Sequence, residues 1–146
     1  MATKNERIKT QLLKLTRLSE AQKKKTKYYG TMHERKIYET EKFYYVTNTV
    51  SLVCIDKSAL EIGIDFETFK NTQITDEMGK IIDDALRECG YGSVRFNACF
   101  MPDVLRLFEL LDLHPVISTI SDFQGKGGGA ILLYDEGVIA VIMGVN

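Results

Sequence analysis

The sequence predicts an α+β fold, a single domain built of two pseudo-repeated halves, each a helix followed by an antiparallel sheet. Three observations predict it. At 146 residues, 45% hydrophobic and 27% charged, the chain can bury one core without metal or disulfide staples. The hydrophobic spacing changes from helical to strand-like, then back, and then to strand again. The element order reads helix and three strands, a helical stretch, then strand, helix and three strands. The halves fall at residues 1–62 and 92–146, with a helical insertion over 63–91. No sequence repeat at a fixed period is present, so a solenoid is excluded.

The first helix is predicted over residues 5–23, where Ile8, Leu12, Leu15 and Ser19 form one stripe with Leu18 at its edge. Arg7, Lys14 and Arg17 fall on a neighbouring arc, and Lys23, Lys24 and Lys25 occupy the last turn, where cations suit the negative end of the helix dipole. From Tyr28 to Asp56 the clusters Tyr28-Tyr29, Lys36-Ile-Tyr38, Phe43-Tyr-Tyr-Val46 and Ser51-Leu-Val-Cys-Ile55 predict an antiparallel meander of three or four strands. A second helix opens at Thr75 as N-cap, buries Met78, Ile81, Ile82, Ala85 and Leu86, and stops at Gly90. Ser93 to Asn97 reads as a strand. The third helix begins near Pro102, is expected over residues 101–112, and carries Val104, Leu105, Phe108, Leu111 and Leu113. Three strands close the chain, Pro115 to Ile120, Ala130 to Tyr134 and Gly137 to Met143, the last two joined at Asp135-Glu-Gly137. The helices of residues 5–23 and 101–112 are expected side by side, covering one side of antiparallel sheets.

Charge is divided along the chain. Residues 1–42 carry twelve Lys/Arg against five Glu, a net of +7, and residues 43–146 a net of -8. Such asymmetry points to a polyanion-facing end, or to a basic helix that balances an acidic body. The longest apolar run, Gly137 to Val145, is about half of a membrane-spanning helix. The opening Met-Ala-Thr-Lys-Asn-Glu-Arg has no apolar core of a secretory signal, and Cys54, Cys89 and Cys99 are an odd set without Cys-x-x-Cys spacing. A cytoplasmic protein with reduced thiols is expected.

No motif predicts catalysis, a metal or a cofactor. His33 and His114 lack a nucleophile signature, and Asp83-Asp84 point about 100° apart on a helix. Gly125-Lys-Gly-Gly-Gly129 leads into a strand and not into the helix a phosphate loop requires, so it reads as a hairpin connection.

The stretch from Val94 onward, with Arg95-Phe-Asn-Ala and the close Asp135-Glu-Gly-Val-Ile-Ala-Val-Ile-Met143-Gly-Val, resembles the last half-domain of the bacterial DNA polymerase III β subunit, the replicative sliding clamp. That family shows a Phe-Asn strand start, a Leu-rich helix, three strands and a closing apolar strand ending Met-Pro-Met or Met-Pro-Val. The stretch Lys42-Phe-Tyr-Tyr-Val-Thr-Asn-Thr-Val-Ser-Leu-Val53 is similar to the clamp segment in which Ala-Thr-Asp-Gly closes a strand. The two stretches and their order cover roughly three quarters of the chain. Gly144 stands where the family has proline, Thr47-Asn48-Thr49 where it has Thr-Asp-Gly, and the first half has no opening strand.

The resemblance implies a DNA-clamp-like domain that is non-enzymatic and associated with DNA or replication. Clamp chains have three such domains, so a ring would take six copies of this one; otherwise the chain is a non-ring relative, for example one encoded by a phage or mobile element. Arg7, Lys14, Arg17, Lys23, Lys24 and Lys25 then match the lysines and arginines that meet duplex phosphates without reading bases, with Arg106 on the third helix. Met143, with Val145 beside it, matches the C-terminal segment at the family's partner-peptide cleft. Expected partners are duplex DNA through non-specific phosphate contacts, and replication proteins or self-association, with no membrane. The alternatives are an interaction module that keeps the fold without a ring, and a small ligand-binding domain.

Overall fold

A computed structural model describes residues 2–25, 36–60, 64–90, 92–125 and 128–145. Its centre is one six-stranded antiparallel sheet. Strands β1 (Ile37–Glu39), β2 (Phe43–Thr47) and β3 (Ser51–Asp56) form one meander. Strands β4 (Val116–Ile120), β5 (Ala130–Asp135) and β6 (Val138–Met143) form the other. The meanders join through β3 and β6, giving the order β1-β2-β3-β6-β5-β4. The β5–β6 turn puts Glu136 and Gly137 at positive φ, the conformation a tight hairpin needs. The Tyr28-Tyr29 cluster lies outside the described residues.

Helices α1 (Lys4–Lys14) and α4 (Met101–Leu110) lie side by side on one face of the sheet, as expected. Ile8, Leu12, Leu107 and Phe108 are buried there with Val53, Leu133 and Ile142. The other face is covered as well, by α3 (Thr72–Glu88), whose Met78, Ile82 and Ala85 pack on Tyr45, Leu52, Leu132 and Val141. This corrects the expectation of helices on one side only, and the reason is in the strands. Residues 51–55 and 130–133 are buried without alternation, so both faces of the sheet need a cover. Helix α3, within the stretch expected to be an insertion, therefore supplies a layer of the core.

Three further elements differ from expectation. The first helix does not run to residue 23; it ends at Lys14, and a four-residue helix, α2 (Glu20–Lys23), follows. Thr16 Oγ1 donates to the Leu13 carbonyl at 2.6 Å, and Ser19 starts a new capping box with Gln22. Ser19 is thus an exposed cap and no part of the apolar stripe. Helix α3 starts earlier than predicted, capped by Asn71, while Thr75 is buried inside it and Leu86 stays 43% exposed on its outer flank. Ser93 to Asn97 forms no strand: Arg95 makes a single bridge to Val145. In chain order, α1 and α2 precede the first meander, and α3 and α4 lie between it and the second.

Among the described residues, no helix is long and apolar enough to cross a membrane.

Candidate functional site

The predicted basic residues do not form one helical face. Arg7 and Lys14 lie exposed on α1, Arg17 in the turn after it, Lys23 on α2, and Lys24 and Lys25 just beyond it. The α1–α4 surface neutralises much of its own charge. Lys14 Nζ lies 3.4 Å from Asp103, Lys23 3.6 Å from Glu20, and Lys4 2.8 Å from Asp112, whose carboxyl the lysine holds below its ordinary range. Arg106 pairs with Glu109 on its own helix. Arg7, Arg17, Lys24 and Lys25 are exposed and make no ion pair among the described residues. Buried amides hold α1 and α2 to the start of α4: Gln11 Nε2 donates to the Asp103 carbonyl at 2.7 Å, and Gln22 Nε2 to the Cys99 carbonyl at 3.0 Å.

Met143 and Val145 are separated in role. Met143, 39% exposed at the end of β6, lines a cleft of about 180 Å³ under the N-terminal half of α3. Val50 and Leu52 of the β2–β3 hairpin, Ile74, Met78 and Ile81 of α3, and Val141 make up its apolar wall. Glu77 stands at the wall as its one charged side chain. Val145 does not line this cleft; its N–H donates to the Arg95 carbonyl at 2.7 Å. Sequence reasoning placed Met78 and Ile81 on a buried stripe but carried no sign that the helix leaves the hairpin end uncovered.

The hairpin at the rim has an unusual backbone. Thr49 has φ +78°, a region that favours glycine and strains a β-branched residue. Asn48 Oδ1 accepts from the N–H groups of Val50 (3.1 Å) and Ser51 (2.8 Å), closing the turn. Gly144, at the other end of the rim, is fixed by contact. A Cβ there would meet Val94 Cγ2 at 2.6 Å and the Gly129 carbonyl oxygen at 2.8 Å, and its N–H donates to that same carbonyl. Proline would lose the bond and add the clash. Gly129 is equally constrained, with Val94 Cγ2 2.3 Å from a built Cβ, so at least this glycine of the 125–129 run serves close packing.

A second depression, of about 650 Å³, lies between α3 and β2 and is polar. Its best-buried charge is spent locally: Asp84 accepts from Lys80 (2.7 Å), Gln124 (3.0 Å) and Arg87 (2.5 Å), which together hold its carboxyl far below the usual range. Burial pushes the Cys54 thiol up to about 12 and the Tyr45 phenol beside it upward too, so Cys54 is a protonated core thiol and no nucleophile at neutral pH. His114 is exposed in the connection between α4 and β4, where its backbone N–H donates to Asp135, and His33 lies outside the described residues. Among the described residues no cluster of three or more His, Cys, Asp or Glu is arranged to hold a metal. No protein-family model, curated protein or solved structure matches this chain.

Proposed function

We propose that this chain is a non-enzymatic binding module of sliding-clamp type that docks a partner segment in the cleft beside Met143. The cleft carries the reading. It is apolar, opens to solvent through half-exposed Met143, and is too small for a drug-sized ligand while fitting one or two large side chains of a peptide. Its one charged wall residue is Glu77, and Asp76 neighbours it in sequence, so the complementary partner is an apolar segment flanked by lysine or arginine.

Kinship with the clamp family is supported by the helix-plus-meander order of both halves, by the paired α1 and α4, and by Thr49, which holds a glycine-like backbone where the family has glycine. Covering of the sheet's second face by α3 and the glycine at 144 are departures from it.

The test is selection of displayed random peptides on the immobilised full chain, followed by fluorescence anisotropy with the synthetic winners. The expected winners pair two large apolar residues with a neighbouring cation. They should lose binding to Ile74→Glu with Met143→Glu and weaken several-fold on Glu77→Lys, while circular dichroism stays unchanged. Equal binding to the doubly charged variant overturns the reading.

A second reading, phosphate contact with duplex DNA, is favoured by Arg7, Arg17, Lys24 and Lys25, which are exposed and make no ion pair among the described residues. Lys14 and Lys23 contribute less, since acidic neighbours already hold them. Binding is then sequence-independent and falls with salt by about 0.9 in log–log slope for each phosphate met. Arg7→Glu with Arg17→Glu should remove it. No binding by the wild type at low salt, or no effect of that pair, eliminates the DNA reading.

A further inference from the structure

The two edges of the sheet are finished differently. At β1, the segment around Phe69 lies alongside as a short parallel partner: Phe69 N–H donates to the Ile37 carbonyl and Glu39 N–H to the Phe69 carbonyl, both at 2.9 Å. That edge is closed. At β4, among the described residues only the C-terminal end is covered, where Gly90 N–H donates to the Thr119 carbonyl at 3.0 Å and Thr119 Oγ1 to the Gly92 carbonyl at 2.7 Å. Because the Thr119 carbonyl points away from β5, the backbone N–H and C=O of Ile117, two residues earlier, point the same way. Among the described residues neither has a hydrogen-bond partner.

The bare end is also apolar on both faces. Ile117, opposite Leu133 in register, is 54% exposed on the α4 side of the sheet. Val116, opposite Tyr134, is 52% exposed on the α3 side, with Tyr134 itself 38% exposed. Edge strands are commonly blunted by lysine or an inward charge. Residues 115–121 carry no charge at all, and Pro115 is the only such device.

We infer that this edge pairs with the same edge of a second copy of the chain. The strand is suited to its own antiparallel copy about a two-fold axis through Ile117. There the two Ile117 residues exchange reciprocal N–H···O bonds, Val116 of each faces Ser118 of the other, and no like charges meet. Gly90 and Gly92 end the pairing at Thr119, and Pro115 ends it on the other side. The closed β1 edge leaves no site for head-to-tail pairing of β4 on β1, so the assembly stops at two copies. A pairing this short makes a small interface, and the dimer is reversible. This inference is independent of the Met143 cleft, which lies on β6 and α3.

Sedimentation velocity of the full chain over a hundredfold concentration range tests it. The mass should rise from 16.6 kDa toward twice that value. Ile117→Lys, which sets two cations face to face, and Ile117→Pro, which removes the outward N–H, should both keep the chain monomeric with an unchanged far-ultraviolet spectrum. Hydrogen exchange supplies a readout without any variant: the Ile117 amide should be protected at high concentration and exchange rapidly on dilution. A monomer at every concentration, a six-copy mass, or a dimer untouched by Ile117→Lys overturns the proposal.

Discussion

Helices α1 and α4 stand on one face of the sheet, with α2 against the turn that opens α4, and α3 is the one helix on the other among the described residues. The first face is cross-linked by polar groups that reach between helices. Gln11 and Gln22 bond to backbone carbonyls at the start of α4, and Lys4 and Lys14 reach Asp112 and Asp103. The second face has one helix for the same number of strands, and its N-terminal half leaves the β2–β3 hairpin and the end of β6 partly bare. On the proposed function, packing cover decides where a partner docks. The basic residues that the sequence advertises lie on and just beyond α1 and α2, where acidic neighbours hold Lys14 and Lys23, and the apolar cleft lies under α3 on the other face.

The sharpest way to break this contrast is to remove a large side chain from each face. Phe108, 1% exposed on the closed face, should cost about 3–5 kcal/mol as Phe108→Ala, seen as a lowered urea midpoint. Met143→Ala at the cleft should cost under about 1 kcal/mol, because half-exposed Met143 leaves no sealed cavity. Similar losses from the two would mean that the cleft is part of the core.

Next in size is the anchor of β6. Gly144→Ala forces a Cβ against Val94 and two carbonyl oxygens and should destabilise by about 1–3 kcal/mol. Gly144→Pro, which installs the clamp family's residue, should be worse, since it also removes the N–H bond to Gly129. Thermal melts of both variants check this. If Gly144→Pro is as stable as the wild type, the close approach of Val94 is not a constraint.

How much of this was legible depends on the range of the signal. Two of the signals are local. Thr3-Lys-Asn-Glu6 and Ser19-Glu-Ala-Gln22 are both capping boxes, and the second marks the break between α1 and α2. Ser51-Leu-Val-Cys-Ile55 and Ala130-Ile-Leu-Leu133 lack alternation, which already calls for a cover on each side of the sheet. The cleft was not legible. Met143 was picked out through the clamp resemblance, but its neighbours Ile74, Met78 and Ile81 meet it only through the placement of α3, which rests on contacts far apart in sequence. The same holds for Lys14, whose partner Asp103 is on another helix.

The α3 side also titrates. Asp84 is 5% exposed as a side chain, and Lys80, Gln124 and Arg87 lower its carboxyl below the unfolded value near 4. A lowered folded-state value means that its stabilising contribution is complete above about pH 4 and is lost as the pH falls through and below that point. Asp84→Asn should therefore be less stable than the wild type at pH 7, and the gap should narrow steadily from pH 4 downward. A gap that does not change with pH would assign the loss to packing or to the Gln124 contact.

The smallest expected effect is a gain, and it lies at the rim of the cleft. Thr49 keeps φ +78° because its neighbours hold the turn: Thr47 Oγ1 accepts from the Thr49 N–H at 3.0 Å and donates to the Ser51 carbonyl, and Asn48 closes the other side. Glycine would keep that N–H and remove the left-handed strain of a β-branched residue, worth about 1–2 kcal/mol. The extra freedom of glycine in the unfolded chain offsets roughly 0.4–1 kcal/mol of this. Thr49→Gly should thus raise the urea midpoint by an amount equivalent to at most about 1.6 kcal/mol, with an unchanged slope. A fall in the midpoint would mean that the threonine side chain contributes more to the cleft rim than its backbone strain removes. In that case the strained turn would belong to the packing of the open face, and the contrast between the two faces would be smaller than their helices suggest.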